Sequence, residues 1–252
     1  MLNQCEFRFY EELNDFLPPG LRKRSFPYRF NGTPAVKDPI EALGVPHTEV
    51  DLILVDGASV RFVHRLRGGE RVAVYPVFER FELAGVTRLR PAPLREPRFV
   101  LDVHLGRLAG YLRLLGFDCL YRNDYADEEL VAISRDEHRI VLSRDTGLLK
   151  RSEVTHGAFV HARDPRHQLR EVLERFQLHL RIAPFSRCGR CNGTLSGLAT
   201  DEARALVPPA VSRRHDDFRR CVQCGQVYWP GSHLPRFRER LADVGIPAGA
   251  WR

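Results

Sequence analysis

The chain has 252 residues, 43% of them apolar, and a formal net charge of +7 at a pI near 9.3. That length exceeds the needs of one small core and points to two or three compact units. No run of about 18 apolar residues occurs, and charges are scattered through "MLNQCEFRFYEELNDFL", which argues against a membrane span and a secretory leader and makes a cytoplasmic protein the expectation.

The charge is uneven. Residues 1–96 and 97–183 each carry 14 basic and 13 acidic side chains, whereas 184–252 carry 11 and 6. Nearly all the basic groups are arginine, whose planar fork suits phosphate, so the C-terminal segment is the expected nucleic-acid surface.

In chain order, "CEFRFY" alternates as a half-buried strand does, and "EELNDFL" continues at helical or turn spacing. A Pro-Pro-Gly turn follows at Pro18–Gly20, then a helical "VKDPIEALGV", a strand, Asp-Gly turn and strand in "VDLILVDGASV", and a further strand in "GGERVAVYPVFERFEL". The order predicts a small α+β roll over residues 1–86. Its "LILVDGASV" and "GGERVAVYP" resemble the ubiquitin-like β-grasp of sulfur carriers. A carrier ends in a free Gly-Gly, whereas this segment runs on, so a structural or partner-docking role is expected instead. The Pro- and Arg-rich "RLRPAPLREP" reads as a linker over 87–97.

From residue 98 the pattern changes to alternating strands and helices, expected to form one domain to residue 183. "RFVLD" is an apolar strand ending at Asp102, followed by a helical stripe of Leu105, Leu108, Leu112 and Leu115 that stops at Gly116. Then come "DCLYR", an acidic helix start at Asp127 and Glu128, the strand "RIVLS" leading to Asp145, the strand "AFVHA" and an amphipathic "RHQLREVLERFQL". In parallel sheets ligands collect at the carboxyl ends of strands, where Asp102 and Asp145 are expected.

Each acid has a plain structural reading: Asp127 as a helix-start carboxylate, Asp102 as a polar strand end, Asp145 as a cap on the turn at Thr146-Gly147. Converging at one sheet edge, they would repel by about 4 kcal/mol per pair at about 4 Å and an effective dielectric near 20. Such a set wants a cation, and all-oxygen donors select Mg²⁺ or Mn²⁺. A phosphoacceptor receiver lacks support, because Asp102 is followed by Val103 and His104 rather than a second acid, and the same "DVHL" lacks the Asp-x-Asp of a haloacid dehalogenase.

Residues 184–252 contain Cys188-Gly-Arg-Cys191 and Cys221-Val-Gln-Cys224. Two such pairs predict a closed structural Zn²⁺ site. Cys5 and Cys119 sit alone in apolar segments and are expected in the core. Between and after the pairs, Arg213, Arg214, Arg219 and Arg220 interleave with Phe218, Tyr228 and Trp229, a pattern suited to phosphates and unpaired bases. The other reading makes Tyr228 and Trp229 the ribbon's core.

Together "FVLDVHLGRLAGYLRLLGFDCLY", "DEELVAISRDEHRIVLSRDTGLLKR" and "CVQCGQVYWPGSH" resemble the PIN-like nuclease fold, and more narrowly the mut-7 C-terminal ribonuclease family. Bacterial members often carry a β-grasp with a stretch resembling "GVPHTEVDLILVDG". The resemblance implies a PIN-like parallel sheet with flanking helices plus a zinc ribbon, preceded by an α+β β-grasp (ubiquitin-like) domain. It implies hydrolysis of RNA phosphodiesters with Asp102, Asp127 and Asp145 holding Mg²⁺ or Mn²⁺ and Glu128 as a substitute or fourth ligand. His233 is a candidate near the RNA. The chain departs from the pattern at His104, at Gly110-Tyr111 and at Ser143. Two rival readings stand beside it: a non-catalytic zinc-ribbon adaptor that binds RNA, and a protein whose β-grasp domain docks on an RNA-modification or sulfur-transfer enzyme.

Overall fold

The computed structural model describes residues 2–76, 97–231, 239, 241 and 244–246. The first elements are β1 (Leu2–Phe9), β2 (Phe26–Asn31), α1 (Lys37–Ala42), β3 (Val50–Val55), β4 (Ala58–Val60) and β5 (Arg71–Pro76). Next come β6 (Phe99–Leu101), α2 (Gly106–Leu114), β7 (Cys119–Leu120), α3 (Asp127–Glu137), β8 (Ile140–Ser143), α4 (Thr146–Leu149), β9 (Gly157–Phe159) and α5 (Pro165–Arg175). The last are β10 (Leu195–Leu198), α6 (Thr200–Arg204), α7 (Pro209–Ser212), β11 (Phe218–Cys221) and β12 (Val227–Tyr228). Among the described residues no helix is long and apolar enough to cross a membrane.

These elements form two compact units, each discontinuous in sequence: residues 2–76 pack with 127–159, and 97–126 pack with the described residues from 160 onward.

In the first unit, five strands form a sheet in the order β2-β1-β5-β3-β4, with β1 and β5 parallel at its centre. Alternation in β1 turns Cys5, Phe7 and Phe9 inward and leaves Glu6 and Arg8 outside. Phe26, Ile40, Ile53 and Val74 complete that core. The β3–β4 hairpin closes on Asp56-Gly57 with φ of +48° and +85°, two left-handed positions that match the twist of the paired strands. This is the expected β-grasp sheet, and "EELNDFL" forms a 3-10 helix, Glu11–Phe16, within it. The same unit holds α3, α4 and the parallel pair β8–β9, whose strand residues Ile140–Ser143 are all buried.

In the second unit, β6 and β7 pair in parallel, Phe99 opposite Cys119 and Val100 opposite Leu120. The predicted stripe of Leu105, Leu108, Leu112 and Leu115 is buried, although Leu105 belongs to a preceding 3-10 turn and Leu115 to the C-cap. α5 starts at Asp164, whose carboxylate accepts from the Arg166 and His167 N–H groups with Pro165 at the first helical position. The ribbon is a three-stranded antiparallel sheet, β10-β11-β12, with α6 and α7 inserted between its first two strands. Ala203, Val207, Phe218 and Val227 form its small core.

Candidate nuclease and metal sites

One cysteine pair precedes β10; of the other, Cys221 ends β11 and Cys224 lies in the turn to β12. Their sulfurs lie within 4.8 Å of one another, with Cys188 Sγ to Cys224 Sγ at 3.6 Å and Cys191 Sγ to Cys221 Sγ at 3.4 Å. A tetrahedral Zn²⁺ with bonds of about 2.3 Å needs sulfurs about 3.8 Å apart, so the cluster suits that ion and leaves no position open for chemistry. Each knuckle ends on a left-handed residue directly after its second cysteine, Asn192 at φ +69° and Gly225 at φ +74°. The Cys224 N–H points at Cys221 Sγ at 3.5 Å.

The thiols are already unequal. Burial works to raise Cys188, but the Tyr228 hydroxyl at 3.0 Å and the backbone N–H groups of Arg190 and Cys191 bring it down to about 6. Burial and protons shared with neighbouring sulfurs push Cys191 up to about 12. A thiolate at Cys188 is the form a metal takes.

The first knuckle is fixed to strand β7. Arg113, 6% exposed, donates from Nε to Cys119 O at 2.8 Å and from Nη1 to Arg190 O at 3.1 Å. Asn192 Oδ1 accepts the Cys119 N–H at 2.9 Å, its Nδ2 donates to Asp118 Oδ1 at 2.8 Å, and Arg187 pairs with Asp118 Oδ2 at 3.4 Å. A charge buried at Arg113 is tolerable because these carbonyls satisfy its fork.

Asp102 belongs to this second unit. It follows the last residue of β6, is 6% exposed, and makes no side-chain bond to the 3-10 turn that it precedes. His104, two residues on, is exposed.

Asp127, Glu128 and Asp145 belong to the first unit. Asp127 opens α3, and Arg151 Nη2 lies 3.8 Å from its Oδ2 and 2.8 Å from Glu128 Oε1. That hydrogen bond holds the Glu128 carboxyl below its ordinary range. Asp145 caps α4, its Oδ1 accepting the Gly147 N–H at 2.7 Å, and the Asp145 N–H donates to the buried Ser143 Oγ at 2.8 Å. Its second oxygen carries no bond among the described residues.

Of the candidate RNA contacts, Arg213 and Arg214 are exposed after α7 and Arg220 is exposed on β11. Arg219 donates to Phe185 O at 3.0 Å. The aromatics lean toward the core reading: Phe218 is 1% exposed, Trp229 packs on the ribbon core, and Tyr228 packs on the cysteine cluster. His233 lies outside the described residues, as does the expected linker 87–97 apart from Pro97.

The Mut7-C RNAse domain matches residues 97–241, and the Mut7-C ubiquitin domain matches residues 2–82. The chain belongs to the Mut7-C RNAse family. No curated protein and no solved structure matches it.

Within this Mut7-C RNAse chain, sequence reasoning overlooked Arg113, Asn192 and Arg151. A lone arginine on an apolar helical face was the one available signal for Arg113. Asn192, directly after a Cys-x-x-Cys, carried the signal of a left-handed knuckle end. Nothing local distinguishes Arg151 from the chain's many other arginines. The Mut7-C ubiquitin match ends before the RNAse match begins, yet the strands of the former and residues 127–159 of the latter share one compact unit.

Proposed function

We propose that the protein is a divalent-metal-dependent ribonuclease that hydrolyses RNA phosphodiesters, with Asp102, Asp127 and Asp145 as the acids that hold Mg²⁺ or Mn²⁺ and Glu128 beside them. The observation that carries this reading is the RNAse-domain match over residues 97–241, with Asp102 directly after β6 and Asp145 just beyond β8. Carboxylates form a hard, all-oxygen donor set suited to these ions. A divalent ion there supplies charge neutralisation at the phosphate and activation of water. The chain's own contribution is to hold the acids. Ser143 fixes the backbone at Asp145, α4 takes one of its oxygens and leaves the other for a ligand, and Arg151 compensates the charge of Asp127 and Glu128.

The four cysteines hold a structural Zn²⁺ in this reading, and the exposed Arg213, Arg214 and Arg220 hold the RNA backbone as charges rather than as base readers. Residues 2–76 provide the ubiquitin-like module, with protein docking as its further role.

Purified full chain incubated with single-stranded and structured RNA, in Mn²⁺ or in EDTA, tests the reading. Cleavage should require Mn²⁺ and vanish in Asp102→Asn. Cleavage that persists in EDTA or in that variant overturns it.

One observation favours the non-catalytic adaptor: Asp145 is a turn cap, and Asp127 and Glu128 are paired with Arg151. That reading expects RNA binding equal in wild type and Asp102→Asn with no cleavage in either.

A further inference from the structure

The ubiquitin-like module makes specific contacts with a segment of the nuclease domain that runs from Leu149, the last residue of α4, to Phe159 in β9. All of these contacts lie inside the first compact unit.

Three anchors are polar. Lys150, directly after α4, donates from Nζ to Glu41 O at the end of α1, at 2.8 Å. His47 places Nε2 3.1 Å from Val154 O, while its Nδ1 lies 2.7 Å from Glu41 Oε1. Glu49, with no exposed surface, accepts the Phe159 N–H on Oε1 at 2.7 Å. A carboxylate is acceptor-only, so a fully buried one that receives a strand amide is tied to that strand.

The packing agrees with the polar contacts. Phe16 meets Phe159 edge to face at 5.3 Å between ring centres. A Cβ added at Gly157 would meet Leu149 Cδ2 at 2.8 Å and Thr48 Cγ2 at 3.3 Å, so Thr48 and α4 both pack closely on β9 at this glycine. Thr48 itself is 2% exposed.

We propose that the ubiquitin-like module is a positioning element of the nuclease site, in which Glu41, His47 and Glu49 hold the α4–β9 segment and so fix the acid at its head, Asp145. The proposal rests on the reading of Asp145 as a site acid. Glu49 and Lys150 are positioning residues, acting through the segment they hold. Asp145 is joined to that segment by its bond to Gly147, so movement at Leu149 and Lys150 reaches it through one turn of helix. Small misplacements of a catalytic group cost large factors in rate.

The test uses the full chain with a labelled single-stranded RNA in Mn²⁺ and four variants. Glu49→Leu removes the acceptor, and Glu49→Gln keeps an oxygen for the Phe159 N–H. Lys150→Met removes the donor, and Lys150→Arg keeps one. Both Glu49→Leu and Lys150→Met should lower kcat about tenfold with KM changed less than about twofold, and both conservative variants should stay near wild type. Amide exchange over 150–159 should quicken in Glu49→Leu. Should Glu49→Leu fail to fold, Lys150→Met carries the comparison. Wild-type cleavage with unchanged kcat in folded Lys150→Met overturns the positioning role alone. A wild type that cleaves no RNA overturns the nuclease reading, and the positioning role with it.

Discussion

Asn192 donates to Asp118 Oδ1 at 2.8 Å while its own Oδ1 accepts the Cys119 N–H at 2.9 Å, so a residue of the first knuckle completes the hydrogen bonding of β7. Asn192→Ala removes that acceptor from the buried Cys119 N–H and forces alanine into a left-handed backbone, for a combined cost of about 3 kcal/mol. Asn192→Gly should cost less, since glycine accepts the backbone. Urea unfolding of the three proteins measures the order wild type, Gly, Ala.

The cysteine cluster should bind one Zn²⁺ per chain, measurable by elemental analysis. Chelation should lower the thermal midpoint, and because Asn192, Arg113 and Asp118 join knuckle to strand, amide exchange should quicken at Cys119 as well as within the ribbon. Cys224→Ser should weaken zinc retention.

Asp145 serves both as cap and as proposed ligand, and two substitutions separate the roles. Asp145→Asn retains an oxygen for the Gly147 N–H and should keep its stability while losing about 100-fold or more in cleavage. Asp145→Ala should lose that activity and about 1 kcal/mol of stability besides. Thermal melts beside cleavage rates make the comparison.

Arg151 competes with any cation for Asp127 and Glu128. In Arg151→Ala the Mn²⁺ concentration for half-maximal cleavage should fall about threefold. A rise would assign Arg151 to the substrate side.

Glu70 gives a pH signature of the β-grasp fold. Burial works to raise its carboxyl, but the Cys5 thiol at 2.9 Å and the Arg67 and Gly68 N–H groups, both at 2.7 Å, bring it down to about 2. A depressed folded value contributes stability above the unfolded value near 4.5, and that contribution is lost as pH falls toward 2. The stability difference between wild type and Glu70→Gln should therefore be about 1 kcal/mol at pH 7 and shrink below pH 4, after discounting for solvent screening.

Much of this was legible in the sequence because it was local. The alternation of Cys5, Phe7 and Phe9, the Leu stripe of α2, the Asp-Gly hairpin and the cysteine spacing each carry their pattern within a dozen residues. Asp145 was legible both as a turn cap and as a candidate ligand, and its observed cap is the first of these. What was illegible is long-range. Arg113 reaches Arg190, Asn192 reaches Cys119, and Lys150 reaches Glu41, in each case through backbone groups that no side-chain pattern advertises. Two compact units that each draw on separated stretches of chain leave no periodic trace.

The bond between Glu49 and the Phe159 N–H also sets an order of events during synthesis. The β-grasp strands are complete once residue 76 has emerged, but the turn His47–Glu49 lacks its cover until residue 159 follows. At about 5–20 residues per second the delay is about 4–17 s, during which a carboxylate destined for burial remains hydrated. The N-terminal module therefore matures twice, first as a sheet and later as a half of its unit, and conditions that slow elongation between residues 76 and 159 should lengthen its exposure to proteases.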